Sequence, residues 1–315
     1  MTLLSAAIPI QPTGLQAGVL AEIQRLCRAR GPQPHEYGTL YDYSAHLQEQ
    51  LRAGVIGKLE IAALRDAFGP AMGAGTVQGR AWLKAHGYAG DYQIIDDIYT
   101  QRVSEDPMLR GWDEFFHAGL APQAVRNRKG YFKQLLSRYV VKHTGPGPLR
   151  VLNVASGPCR DVAEYFEQSH SAPVHITCLD QDANAIAHAR RLCRPFADSV
   201  DFVQGNALKF SSERKYDLIW SAGLFDYFND EWFVTALKRL ARALTPGGSL
   251  VVGNFSPSNP QRAYMEVFGE WVLHHRSTEQ LLALAERAGL HDAVIGQEPL
   301  GINLFIHAHA GAQVA

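Results

Sequence analysis

The side chains and turns able to do chemistry are concentrated beyond position 148 of the 315-residue chain. Ala155-Ser156-Gly157-Pro158 follows a short apolar run at 150–154. Asp180, with Gln181 after it, closes a second apolar run at 174–179, 23 residues beyond Gly157. Asn206-Ala207 follows a third run, and Ser221-Ala222 ends a fourth. A tight turn opening a helix, with an acid at the end of the next strand, is the spacing of a nucleotide site. The turn lets a ligand approach the backbone, and the carboxylate takes ribose hydroxyls. Plainer roles compete for each residue: Gly157 serves any tight turn, Asp180 could cap a helix (although Asp182 is better placed), and Asn206 suits a turn.

The turn also discriminates between nucleotides. A G-x-G-x-x-G site closes several backbone N–H groups around a pyrophosphate. Here there is one glycine, and Pro158 has no N–H to give, though it suits the first turn of a helix. S-adenosylmethionine has a ribose and an adenine but no phosphate, and fits this turn better than NAD. The candidate donor contacts are Ala155, Ser156, Gly157, Asp180, Gln181, Asn206, Ala207, Ser221 and Ala222. Methyl transfer from a sulfonium is an in-line displacement that depends on alignment and desolvation, helped by aromatic faces near the cation. A carboxylate acceptor needs no base, whereas an amine or hydroxyl can need one. Asp226, Tyr227, Asn254 and His117 are the candidates for that role, and the sequence does not choose among them. Tyr88, Asp91, Tyr99, Arg126, Phe225, Arg262 and Glu266 are candidate acceptor contacts, with Arg128 grouped beside Arg126. Phe225 and Tyr227 suit a core equally well, and each arginine suits the surface. An arginine in the pocket points to a carboxylate acceptor, and Asp91, Asp226 or Glu266 there to a cationic one.

A parallel sheet would bring these residues to one edge. The runs 150–154, 174–179, 200–204, 216–221 and 249–255 read as strands alternating with helices over 159–168, 184–193 and 230–244; two more strands follow at 292–296 and 302–308. Asp182 caps the second of these helices, Ser277 with Gln280 makes a capping box for a later one, and Thr245-Pro246-Gly247-Gly248 reads as a turn. Residues 256–276 form an insertion whose helix carries Tyr264, Met265, Phe268 and Trp271. Ahead of the sheet, residues 15–142 are helical in period, interrupted at 31–34, by a loop at 69–79, and at Gly87 and Gly90; residues 1–14 read as a loose tail. The linker 144–148 divides the chain into an all-helical cap, 1–147, and an α/β domain, 148–315, with the acceptor site expected where they meet.

Bulk properties narrow the class. A formal net charge of −1 gives no basic field, which argues against a general nucleic-acid binder, and no apolar run is long enough to cross a membrane. The start, MTLLSAAIPIQPTG, lacks the basic residues and cleavage site of a secretory signal. Cys27, Cys159, Cys178 and Cys193 contain no C-x-x-C and are expected to be reduced thiols, so a cytoplasmic location is expected. The histidines include no H-E-x-x-H, and His274-His275 and His307-x-His309 are poor ligand pairs, so no metal is expected. The oligomeric state stays open, a homodimer included.

Taken in order, NVASGPCR, Asp180, GNA, DLIWSAGLFDYF and LTPGGSLVVGNF resemble the signals of class I S-adenosylmethionine-dependent methyltransferases, over residues 149–308. The resemblance implies a Rossmann-like seven-stranded methyltransferase sheet and S-adenosylmethionine as donor to a small-molecule acceptor. Two departures stand out: the E/D-x-G-x-G-x-G pattern is here Asn153-Val154-Ala155-Ser156-Gly157-Pro158-Cys159, and Asn206 stands where many members have Asp near the adenine. A narrower likeness is carried by HGYAGDYQIIDDIY, AVRNRK, ASGPCRD, SAGLFDYF and GNFSPSNPQRAYME. It is to bacterial methyltransferases related to the extracellular-factor 3-hydroxypalmitate methyl ester biosynthesis proteins, and implies methyl esterification of a hydroxy fatty acid. The competing functions are an N-methyltransferase for an amino acid, amine or guanidine, and a donor-binding regulatory protein without turnover. An NAD-dependent oxidoreductase is disfavoured by the Ser156-Gly157-Pro158 turn.

Overall fold

A computed structural model describes residues 14–169 and 172–309. The expected loose tail lies outside them, apart from Gly14, which opens the first helix. In chain order the elements are α1 (Gly14–Arg28), α2 (Tyr37–Arg52), α3 (Lys58–Asp66), α4 (Val77–Leu83), α5 (Tyr92–Thr100), α6 (Arg110–Ala118), α7 (Leu120–Lys142), β1 (Leu149–Val154), α8 (Arg160–Gln168), β2 (Val174–Asp180), α9 (Ala183–Leu192), β3 (Val200–Gln204), β4 (Tyr216–Ser221), α10 (Asp230–Ala241), β5 (Leu244–Phe255), α11 (Arg262–Val267), α12 (Thr278–Arg287), β6 (Val294–Gln297) and β7 (Asn303–His309). Among the described residues no helix is long and apolar enough to cross a membrane.

The seven strands form one sheet in the order β3-β2-β1-β4-β5-β7-β6. β1 to β5 run parallel, and β7 is antiparallel to both its neighbours. Alternation along β1 sends Leu152 and Val154 into a core shared with Phe233 and Leu237 of α10 and Leu281 and Leu284 of α12. It sends Val151 into a second core with Phe132 and Leu136 of α7 and Val162 and Phe166 of α8. Both faces are covered, which is why the strands read as continuous apolar runs rather than as alternating ones. The strand order reverses between β1 and β4, and the carboxyl ends at such a switch point open a crevice for a ligand.

The described residues cluster into two compact units. A helical unit comprises the chain up to Ala89, Arg102–Ala118 and Gln261–Trp271; a sheet unit comprises Gly90–Gln101, Gly119–Pro260 and the chain from Val272 onward. The sequence put the division at the linker 144–148 instead. α7 belongs with the sheet because Phe132, Leu135 and Leu136 are part of its core. α5 belongs there because the Arg160 guanidinium of α8 forks onto the Asp96 carboxylate, and the Tyr92 ring packs 5.4 Å from that of His188. α11 joins the helical unit: Phe268, just beyond its end, sits 5.1 Å from the Phe68 ring and Tyr264 5.3 Å from Phe115, beside buried Trp112. The Arg65 side chain donates to the Phe268 carbonyl and stacks on Trp82 at 3.5 Å.

Three local expectations are corrected. The stretch 69–79 is not a plain loop: it holds a 3-10 turn, Gly69–Met72, and the start of α4, where Thr76 accepts from the Gly79 N–H. Thr245–Gly248 does not precede the fifth strand but lies inside it, with a register shift opposite Tyr216 and Leu218 and Gly247 at φ +75°. The insertion helix stops at Val267, and Glu270 turns left-handed (φ +45°), so Trp271 lies beyond it.

Candidate functional site

The turn after β1 alternates in hand. Ala155, Gly157 and Cys159 have φ of +51°, +55° and +55°. For a non-glycine residue this costs roughly 1–2 kcal/mol, so Ala155 and Cys159 hold strain that the surrounding β1–α8 packing must offset. Gly157 is needed for its φ, and a Cβ there would meet nothing within 4 Å, so its outer side is open. The Gly157 N–H donates to Asp180 Oδ2 at 2.8 Å, and Asp180 Oδ1 accepts from the Asp182 N–H at 2.9 Å. Burial raises the Asp180 carboxyl above its ordinary range while these amides act against that. The Gln181 N–H also acts on this carboxylate, which has about four lone-pair sites and so keeps capacity for a ligand. Asp182 caps α9 by accepting from the Asn184 N–H, so the capping role falls to it and not to Asp180.

The other candidate donor contacts are distributed around this centre. The Ser156 N–H donates to the Leu179 carbonyl, and its buried Oγ has no partner among the described groups. Gln181 is exposed. Asn206 is exposed and accepts from the Leu208 N–H in an Asx turn, with Ala207 half-buried beside it. Ser221 is fully buried and donates to the Val154 carbonyl at 3.0 Å, tying the end of β4 to the end of β1; Ala222 follows, half-buried.

Beyond β4 a single 3-10 turn, Phe225–Tyr227, carries three of the candidates. Phe225 is core, packed on Phe228 and Phe233. Tyr227 is exposed. Asp226 is buried, and its Oδ1 accepts from the Phe255 N–H at 2.6 Å. Asn254 pins the neighbouring segment: its amide donates to the Phe255 and His274 carbonyls and accepts from Arg276. Both ends of that amide are committed.

Burial pushes the Asp226 carboxyl up to about 6, and the Asp161 carboxyl in the first turn of α8 likewise. A carboxyl with a raised folded-state pKa binds more protons in the native than in the unfolded chain between the two values. Its contribution to stability therefore grows as pH falls from about 6 toward about 4 and is lost on going back up. Asp226→Asn, which keeps an acceptor for Phe255, is expected to be more stable than wild type above about pH 6 and to lose that advantage near pH 4. Unfolding midpoints of both proteins across this range check it; a constant offset at every pH would count against burial as the cause.

α5 and α7 bring further polar groups to the sheet unit. Tyr99 is buried, with Lys129 Nζ 5.2 Å from its ring centroid. Asp91 caps α5, accepting from the Gln93 and Ile94 N–H groups. Arg126 is half-buried, and desolvation lowers its pKa. Arg128, grouped with Arg126 by sequence, is instead deeply buried: a Cβ on Gly223 would stand 2.9 Å from its Nη1. The remaining candidates belong to the helical unit. His117 Nε2 lies 2.7 Å from the Arg102 carbonyl oxygen, Arg262 pairs with Glu266 at 2.6 Å, Glu266 also accepts from Gln48, and Tyr88 is half-buried. Two features had no sequence signal: the burial of Arg128, which only packing decides, and that of Asp161, since an acid in the first turn of a helix is ordinary.

Comparison with known proteins follows the same outline. Residues 151–248 match the family model described as a methyltransferase domain. The chain is 35% identical over 80 residues to the malonyl-[acyl-carrier protein] O-methyltransferase of Priestia megaterium, covering 25% of this chain and 28% of that protein. It is 31% identical over 167 residues to the ubiquinone/menaquinone biosynthesis C-methyltransferase of Azotobacter vinelandii, covering 50% and 64%. The chain thus spans less than two thirds of the length of these curated relatives. Among solved structures, a possible exported protein of Bordetella parapertussis matches with a TM-score of 0.64 at 22% identity, over 96% of this chain and 100% of that one. A candidate O-methyltransferase of Nostoc punctiforme matches with a TM-score of 0.51 at 15% identity, over 74% and 72%. These two likenesses show the fold. Over residues 151–248 the chain is therefore similar to a methyltransferase domain.

Proposed function

We propose that the chain transfers a methyl group from S-adenosylmethionine to a small-molecule acceptor. The observation that carries this is the pairing of the Gly157 N–H with the Asp180 carboxylate at the switch point of the sheet. That pairing leaves a glycine turn and an acid side by side where a ribose would lie, within a domain of the methyltransferase kind. The donor contacts in this reading are Ala155 to Gly157, Asp180, Gln181, Asn206, Ala207, Ser221 and Ala222. Asp226 and Tyr227, on the turn after β4, would stand toward the methyl end of the donor, and Asp226 would serve as base if the acceptor carries a proton.

For the acceptor we take an oxygen nucleophile, the carboxylate of a hydroxy fatty acid. The narrower sequence likeness supports it, as does a relative named for O-methylation of a malonyl group on its carrier. Such a carboxylate needs no base, so catalysis would consist of alignment and exclusion of water. A cytoplasmic location and the absence of a nucleic-acid partner belong to the same reading.

The test is thermal unfolding with S-adenosylmethionine, S-adenosylhomocysteine and NAD in parallel, followed by release of S-adenosylhomocysteine with 3-hydroxypalmitate or a primary amine as acceptor. A native-state ligand at a hundredfold excess over Kd adds about 2.7 kcal/mol of stability. Stabilisation by the two adenosyl compounds alone, with turnover dependent on the fatty acid, is the expected result. Turnover with the amine instead would move the acceptor to nitrogen. Binding with no acceptor-dependent turnover would favour a regulatory protein, and stabilisation by NAD alone would overturn the donor.

A further inference from the structure

An amino-acid end brings a carboxylate to the site, and the turn after β1 has already committed the backbone donors of Ser156, Gly157 and Cys159. The Ser156 N–H is given to the Leu179 carbonyl at 3.1 Å, the Gly157 N–H to Asp180, and the Cys159 N–H to the Ser156 carbonyl at 3.2 Å. Pro158 has none. A glycine-rich turn normally meets an anionic group with such amides; here the anion must find its donors elsewhere.

One guanidinium in the sheet unit is placed for this. Arg160 is paired with Asp96, and Arg276 is taken by Asp230, Asn254 and two carbonyls. Arg128 is as buried as Arg276 and more so than Arg160, yet forms no ion pair among the described residues, and its Nε has no hydrogen-bond partner there. Its polar neighbours are the Tyr99 hydroxyl and, in the same field but outside ion-pair distance, the buried Asp226 and Asp161 carboxyls, with Tyr227 beside them. The guanidinium packs against the main chain at Gly223, two residues past the end of β4 and therefore at the switch point. A buried cation without a partner anion is costly, and five N–H groups in a fixed fork suit a carboxylate.

We propose that Arg128 receives the α-carboxylate of the donor's amino-acid end, replacing the backbone amides that this turn has already spent. The inference rests on the methyltransferase reading above and deepens it. Charge-assisted hydrogen bonds of this kind are worth about 10- to 100-fold in affinity.

The experiment is calorimetric titration of the full chain with S-adenosylmethionine and with its decarboxylated analogue, which lacks that carboxylate alone. Wild type is expected to prefer S-adenosylmethionine by about 10- to 100-fold. Arg128→Met should bring S-adenosylmethionine down to the level of the analogue and leave the analogue's affinity unchanged. Arg128→Lys, which keeps the charge but not the fork, should restore part of the preference, and serves also if the methionine variant does not fold. A preference that survives in Arg128→Met, or in Arg128→Lys at full strength, overturns the proposal, as does a wild type indifferent to the carboxylate. A wild type that binds neither compound would instead remove the donor itself, and with it the reading beneath.

Discussion

Asp180→Ala is expected to weaken S-adenosylmethionine binding by about 100- to 10,000-fold, because hydrogen bonds to a charged group contribute about 1.5–3 kcal/mol each and a ribose offers two hydroxyls. The carboxylate also holds the Gly157 and Asp182 N–H groups, so the variant loses the ordering of the turn along with the ribose contact. Asp180→Asn separates the two effects. It can still accept from one of those amides, and its fold stability should stay closer to wild type, but its neutral oxygen is a weaker acceptor for the hydroxyls. Its affinity should fall between the other two. Titration with S-adenosylhomocysteine measures all three proteins without turnover; an affinity unchanged in Asp180→Ala would remove the ribose assignment.

The largest effect on stability is expected at Arg276. Its guanidinium donates to the Phe225 carbonyl at 3.3 Å, the Phe228 carbonyl at 2.5 Å, Asn254 Oδ1 at 2.9 Å and the Asp230 carboxylate at 2.9 Å, and lies 4.7 Å from the centroid of the Phe233 ring. Asp230 is half exposed and can return to water at little cost. The Phe225 carbonyl and Asn254 cannot, since both contacts are buried between the turn after β4 and the strand beside it. Arg276→Met fills the space but leaves these acceptors unmet, and should destabilise the sheet unit by about 3–5 kcal/mol. Urea unfolding gives the number. Arg276→Lys, able to satisfy one or two acceptors, should recover a fraction. A loss below about 1 kcal/mol in the methionine variant would mean that water reaches the turn and the arginine is not its anchor. Because the turn carries Asp226 and adjoins Gly223, donor affinity should fall together with stability.

The sheet was legible because its signals are local. Apolar runs mark the strands, Asp182 and the Ser277–Gln280 box mark helix starts, and both capping geometries are present. Gly157 and Asp180 could be found for the same reason: strand, turn and acid follow within thirty residues or so. What was not legible depends on partners distant in sequence. An amphipathic helix announces a buried face but not which core will bury it, so nothing in 92–100 or 262–267 told that α5 would side with the sheet and α11 with the helices. Arg128 and Arg126 look alike in sequence, and only the packing of α7 on the strands separates a deeply buried cation from a half-buried one. The left-handed Ala155 was hidden because the residue type argues against the conformation it adopts.

The exchange of segments between the units has a consequence for synthesis on the ribosome. The aromatic core of the helical unit, around Phe68, Trp112 and Phe115, includes Tyr264 and Phe268, which emerge about 150 residues after the last of the N-terminal helices in that unit. At about 5–20 residues per second the early helices wait roughly 8–30 s with part of their aromatic surface uncovered. During that interval they are a client for a chaperone, and a stalled or truncated chain ending before Tyr264 is expected to aggregate rather than to persist as a free-standing helical domain.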